Sequence, residues 1–157
     1  MPTIVGAWMS GLHDTDKAVS RAAEDAFQAV FASPEKQMNV LKVYQQQVLE
    51  FSRDALLRES EKTLSDERTT TPEDAEAKYH RLVASCLALV DSLLTKLSHD
   101  EVQKQQTMYT EILAASTIWD SASSKDPAVR RNLLRLLRTC MEKREGNGSS
   151  FCKYKQC

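Results

Sequence analysis

Apolar residues recur along this chain at spacings of three and four. From Tyr79 the steps pass through Leu82, Val83, Cys86, Leu87, Val90, Leu93 and Leu94 to Leu97, which gives a helix one continuous apolar face. Val40, Leu41, Tyr44, Val48, Leu49, Phe51, Leu56 and Leu57 repeat the pattern upstream, and no stretch holds the period-two alternation of a strand. Helix starts are written just as locally. Ser33-Pro34, Thr71-Pro72 and Asp126-Pro127 each set a capping side chain before a proline at the first helical position. Glu73 and Asp74 add negative charge where the helix dipole favours it, and Ser98-His99-Asp100-Glu101 reads as a capping box. Together these signals predict helices at about 3–12, 15–31, 34–60, 72–97, 99–115, 117–123 and 127–144. The expected class is all-α, with about six to seven helices in a domain over 1–144.

Two segments break the pattern. Thr63 to Thr71 has little to bury, yet it is not a plain spacer: Ser65, Asp66, Glu67, Arg68, Thr69 and Thr70 can close a compact loop through side chain-to-backbone bonds, or offer donors and acceptors to a partner. Residues 145–157, "EGNGSSFCKYKQC", lose the helical period and read as a disordered tail.

A short pattern occurs twice. "AWMSGLHDTDKAVSRAAEDAF" and "IWDSASSKDPAVRRNLLRLL" both run from a tryptophan through a polar turn to Asp-x-Ala-Val-x-Arg and an apolar helix. The anchors are Trp8, Asp16, Val19 and Arg21 in the first, and Trp119, Asp126, Val129 and Arg131 in the second. In a helical hairpin the tryptophan closes the first helix and the aspartate caps the second. The valine then packs back, and the arginine reaches an acid on a neighbouring repeat. This resembles the second helix of a HEAT repeat, so the architecture expected is an α-solenoid of HEAT/ARM-like hairpins. The last helix is apolar on more than one face, which points to a longer solenoid or to a dimer through that helix.

Charge adds direction. Residues 1–124 carry 12 Lys and Arg against 19 Asp and Glu, whereas residues 125–157 carry 9 against 3. A basic end on an acidic body suits an oriented meeting with a polyanion such as RNA, although a solvated helical surface is charged in any case. Arg131, Arg135 and Arg138 share one helix face, with Arg130 beside them, and guanidinium groups suit phosphate contacts or an arginine ladder between repeats. Catalysis finds no foothold. His13, His80 and His99 are isolated, no glycine-rich phosphate loop occurs, and the acidic pairs lie at helix starts. Cys86 and Cys140 fall in apolar stripes as core thiols, while Cys152 and Cys157 lack the partners of a zinc site. No apolar run reaches membrane-spanning length and no secretory signal opens the chain, so no membrane partner, no small-molecule substrate and a cytoplasmic setting are expected.

Trp8 to Leu57, then "TLSDERTTTPEDAEAKYHRLVASCLALV", then "WDSASSKDPAVRRNLLRLLRTCMEK" are similar, in order and in the distinctive middle segment, to the N-terminal domain of listerin, closest to its fungal members. The resemblance covers roughly Trp8 to Lys143, and the tail that follows departs from it. Listerin is a RING-type E3 ubiquitin ligase of ribosome-associated quality control, and a long HEAT/ARM-like solenoid. The resemblance implies docking on the large ribosomal subunit, through rRNA and ribosomal protein, beside a NEMF/Rqc2-type factor. It places zinc and ligase chemistry in a C-terminal RING, whose paired Cys-x-x-Cys ligands do not occur here, so no cofactor and no active site are expected in this chain. A general protein-binding scaffold fragment, or a truncated product without ligase function, stands as the alternative.

Overall fold

A computed structural model of the chain describes residues 4–66 and 68–147. Among these residues ten α-helices follow one another: α1 Ile4–Gly11, α2 Lys17–Val30, α3 Pro34–Val43, α4 Gln45–Leu57, α5 Glu61–Leu64, α6 Pro72–Lys96, α7 His99–Lys104, α8 Gln106–Ala114, α9 Ser116–Asp120 and α10 Pro127–Asn147, with a 3-10 turn at Ser121–Ser123. Among the described residues there is no strand, so the all-α class is as expected.

The caps form where the sequence places them. Asp16, Ser33 and Thr71 each accept a backbone N–H from the first turn of α2, α3 and α6. Asp126 accepts from the amides of Ala128 (2.7 Å) and Val129 (3.1 Å) at the head of α10. Ser98 makes only half of its expected box. Its hydroxyl accepts from the Glu101 amide at 3.4 Å, while the Glu101 carboxylate turns to the Lys104 ammonium at 3.0 Å. A reciprocal box does form at Ser60 and Thr63 and nucleates α5, a one-turn helix within a stretch read as non-helical.

Besides the added α5, the helix count rises above six to seven because two expected helices bend. The one over 34–60 breaks at Tyr44 (φ −101°, ψ 10°), and the one over 99–115 breaks at Gln105 (φ −115°, ψ 21°). Neither site carries proline or glycine. The two bends face each other: the buried Gln45 amide donates to the buried Tyr109 phenol at 3.1 Å. Leaving either group unpaired in the core would cost ~1–3 kcal/mol, so the bond fixes where the bends meet. At the other end, α10 runs through Glu145, Gly146 and Asn147, three residues into the expected tail. One glycine costs a helix only about 1 kcal/mol and does not stop it. The rest of that segment, with Cys152 and Cys157, lies outside the described residues.

Packing is that of stacked hairpins. The Asn132 amide donates to the Ala84 carbonyl (2.9 Å) and the Thr139 hydroxyl to Asp91 (2.6 Å), both across 48 residues of sequence, so α6 and α10 run parallel and in register. Between α4 and α8, Gln45 meets Tyr109 and Arg53 reaches Glu111 at 3.7 Å. The parallel pair α6 and α10, with α4 packed against both α6 and α8, gives an α-solenoid-like arrangement. In α6 every residue from Val83 to Asp91 is buried, beyond the single face read from its period. Ala84, Ser85 and Ala88 supply a second face small enough for close approach. Cys86 is wholly enclosed, and burial pushes its thiol up to about 12.

The repeated pattern is shared in its caps and divided in its packing. Trp8 lies edge-on to Phe27 at 5.8 Å and near Phe31 at 6.1 Å, closing the first hairpin. Val19 is 38% exposed and does not pack back, because that hairpin is held by the aromatic trio instead. Val129, at 1% exposure, packs as expected. Trp119 sits at the surface and donates its indole N–H to the Leu113 carbonyl at 3.2 Å. Among the described residues neither Arg21 nor Arg131 forms an ion pair, so the expected arginine link between repeats is absent there.

Gly6 of α1 is the closest approach in this packing: an added Cβ would fall 2.4 Å from Phe51 Cβ and 2.7 Å from Cγ. Alanine is otherwise the better helix former by ~1 kcal/mol. Gly6→Ala should nevertheless lower stability by roughly 1–3 kcal/mol, because a Cβ next to backbone cannot swing aside. Urea denaturation reads this directly, and an unchanged or raised midpoint would mean that α1 shifts freely on α4.

Candidate docking surfaces

The basic face of α10 is built from its buried face. Val129, Leu133, Leu136 and Cys140 are buried in the core, and Asn132 and Thr139 bond to α6. At helical spacing this turns Arg131, Arg135 and Arg138 outward, and all three are exposed. Arg130 is diverted: its guanidinium donates to the carbonyls of Ser124 and, at 2.9 Å, Lys125, bracing the turn before α10. Arg138 donates to Glu142 at 2.7 Å, a bond that holds its pKa above the ordinary guanidinium value. Apolar side chains interrupt the same surface, with Leu134 65% and Met141 64% exposed.

The loop before α6 is ordered around one residue. Asp66 accepts the amide of Arg68 on its carboxylate (2.9 Å) and the amides of Thr69 and Thr70 on its carbonyl (3.0 Å each). Lys78 of α6 ties the preceding turn down through the Leu64 carbonyl. Ser65 and Thr70 line an open pocket of about 340 Å³ with Lys62 and Pro72, and the Ser65 hydroxyl is buried without a hydrogen-bond partner. Arg68 is exposed at the loop surface, while Glu67 lies outside the described residues. The structural half of the sequence reading thus has a direct counterpart in the Asp66 bonds.

The histidines are dispersed. His80 lies beside the Tyr79 ring at 6.0 Å, and His99 is 3.4 Å from the Gln103 amide. His13 occupies a crevice at the end of α1. Burial, then the charges of Lys96 and Arg135, bring its pKa down from 6.5 to about 4. Among the described residues no group of three or more His, Cys, Asp or Glu side chains could hold a metal ion. No helix there is long and apolar enough to cross a membrane.

Stacked hairpins, with exposed arginines along the last helix, define this as an α-solenoid-like, all-helical module. The family model described as "E3 ubiquitin-protein ligase listerin, N-terminal domain" matches residues 1–152, and the chain belongs to that family. The listerin of Neurospora crassa is 35% identical over 142 residues, which cover 90% of this chain and 9% of that protein. Those of Mus musculus (31% identical) and Saccharomyces cerevisiae (28% identical) align with 83% and 74% of this chain, and with 7% of their own lengths. The chain therefore spans less than a tenth of the relatives it matches, each named as an E3 ubiquitin-protein ligase.

Two measurements test these local readings. Asp66→Ala removes the acceptor for the Arg68 amide and loosens the loop, so the Thr69 and Thr70 amides should exchange hydrogen ~5–10-fold faster with little change in global stability. Equal exchange rates would show that the loop is held by other bonds. His13 binds fewer protons folded than unfolded between about pH 4 and 6.5, so its contribution is complete above pH 6.5 and is lost as the pH falls toward 4. The fall should be on the order of 2 kcal/mol, less than the full shift implies because the ring is partly exposed. His13→Gln should flatten that part of the stability curve, and a curve of the same slope would contradict the assignment.

Proposed function

We propose that the chain is the non-catalytic docking domain of a listerin-type E3 ubiquitin ligase, and that it helps hold the ligase on a large ribosomal subunit carrying a stalled nascent chain. The observation that carries this reading is the row of exposed guanidiniums on α10, Arg131, Arg135 and Arg138, on a chain of this family. Arginine forks match phosphate oxygens, and neutralising rRNA phosphates releases counter-ions, so binding should weaken steeply with salt. Arg131 and Arg135 are available as they stand, whereas Arg138 must exchange Glu142 for a phosphate. Arg130 is already committed to the Ser124–Lys125 turn and belongs to the scaffold of the site.

Ubiquitin transfer, and the zinc of a RING, would lie elsewhere in the full-length ligase. The setting is the cytosol, with ribosomal protein and a NEMF/Rqc2-type factor as neighbouring partners. The loop Ser65–Thr70 is the second contact candidate, because Arg68 is exposed on it and Ser65 and Thr70 line an open pocket. Exposed Leu134 and Met141 favour a different reading, a protein-binding scaffold in which the same face of α10 meets another helix.

Co-sedimentation of the purified chain with large subunits and whole ribosomes, at about 50 to 200 mM salt, tests the proposal. Selective, salt-sensitive pelleting with large subunits is expected. The triple change of Arg131, Arg135 and Arg138 to Glu should abolish it with the circular dichroism spectrum unchanged, since all three are exposed. Pelleting that survives the change moves the contact to the Ser65–Thr70 loop. A folded chain that never pellets would overturn the docking reading in favour of a scaffold, or of a truncated product without ligase function.

A further inference from the structure

The first hairpin leaves a gap. Between α1, α2, α3 and α6 runs an open crevice of about 250 Å³, floored by Met9, Phe27, Met38, Leu41 and Leu89. Its walls also include His13 and Lys96, and the charge of Arg135 from α10 reaches the same histidine. Among the described residues, neither Lys96 nor Arg135 forms an ion pair with a carboxylate. Burial and these two cations are the forces acting on the His13 ring, which stays neutral in response. The crevice thus joins an apolar floor to a lysine that has no carboxylate partner among the described residues. Its volume is below the roughly 300–1,000 Å³ typical of small-molecule sites and suits one large side chain.

We propose that this crevice is a peptide-docking site for a protein segment that presents a bulky apolar side chain next to a carboxylate. The apolar side chain fills the space over Met38 and Leu41, and the carboxylate lies beside Lys96 and His13. Charge complementarity selects this occupant. A phosphate backbone has no apolar group to bury on the floor, and a second copy of the chain would have to bring an acidic-apolar segment of its own. The site shares no lining residue with the arginine face, and only the charge of Arg135 reaches from that face to His13. A loss at one is therefore distinguishable from a loss at the other.

The test uses the whole 157-residue chain, labelled at methionine methyls and histidine rings. The probes are capped tetrapeptides Gly-Phe-Asp-Gly, Gly-Phe-Asn-Gly and Gly-Ala-Asp-Gly, titrated to about 10 mM. The Phe-Asp peptide should move the Met9, Met38 and His13 signals saturably and raise the His13 pKa by about one unit as a negative charge arrives. The Phe-Asn and Ala-Asp peptides should each bind ~3–10-fold more weakly. Lys96→Gln, an exposed change that spares the core, should cost the Phe-Asp peptide a similar factor. No saturable movement, or equal affinity for Phe-Asp and Phe-Asn, would overturn the proposal. So would the same signals moving with single-stranded RNA, or with concentration of the chain alone, which would assign the crevice to RNA or to a second copy.

Discussion

The rest of the structure depends on the middle of α6, Val83 to Asp91, being buried all the way round. A helix with one apolar stripe needs one neighbour, whereas a helix enclosed from Val83 to Asp91 needs several, and its polar groups must then find partners inside. The partners are supplied from α10: Asn132 donates to the Ala84 carbonyl and Thr139 to the Asp91 carboxylate. Because both bonds span 48 residues, a slip of α10 by one turn would break both and bury an unpaired aspartate. The apolar contacts between the helices would tolerate several registers. The two polar bonds select one, and that register decides which side of α10 faces water.

Helix starts were legible because they are local: a cap and the amide it bonds lie two or three residues apart, and Asp16, Ser33, Thr71 and Asp126 behave as their sequences imply. The bends at Tyr44 and Gln105 were not legible, since the Gln45–Tyr109 bond that joins them crosses 64 residues. For α6 the signal lies off the leucine stripe. Small residues at Ala84, Ser85 and Ala88, away from the leucine stripe, mark a second buried face rather than a solvated one. The repeated Asp-x-Ala-Val-x-Arg pattern was a sound guide to capping and a poor one to packing. Val129 is core, while Val19 yields its place to Trp8, Phe27 and Phe31.

The candidate site divides in the same way. Helical spacing alone was enough to place Arg131, Arg135 and Arg138 on one exposed face. It could not show that Arg130 braces a turn or that Arg138 holds Glu142, because both depend on which rotamer finds an acceptor. The sequence offers Asp66 as a possible contact residue, yet its carboxylate and carbonyl accept from the loop's own amides. The crevice beside His13 has no sequence signature, since its walls come from four helices that meet only in the fold.

Leu134 and Met141 decide how the face of α10 should be understood. An arginine surface made only for phosphate gains nothing from exposing two large apolar side chains, and a surface made only for helix stacking gains little from three guanidiniums. The two demands are compatible if they act at different depths. Leucine and methionine are short enough to meet a neighbouring helix close to the α10 backbone, while arginine stems pass over such a contact and keep their heads in solvent. On this geometry, covering the apolar ridge would not consume the basic one. It would stiffen the arginine stems from below and reduce the entropy lost when a guanidinium is fixed on phosphate. A polyanion would then bind more tightly when the ridge is covered than when it is bare, with no change in the number of phosphates contacted and hence none in the salt slope.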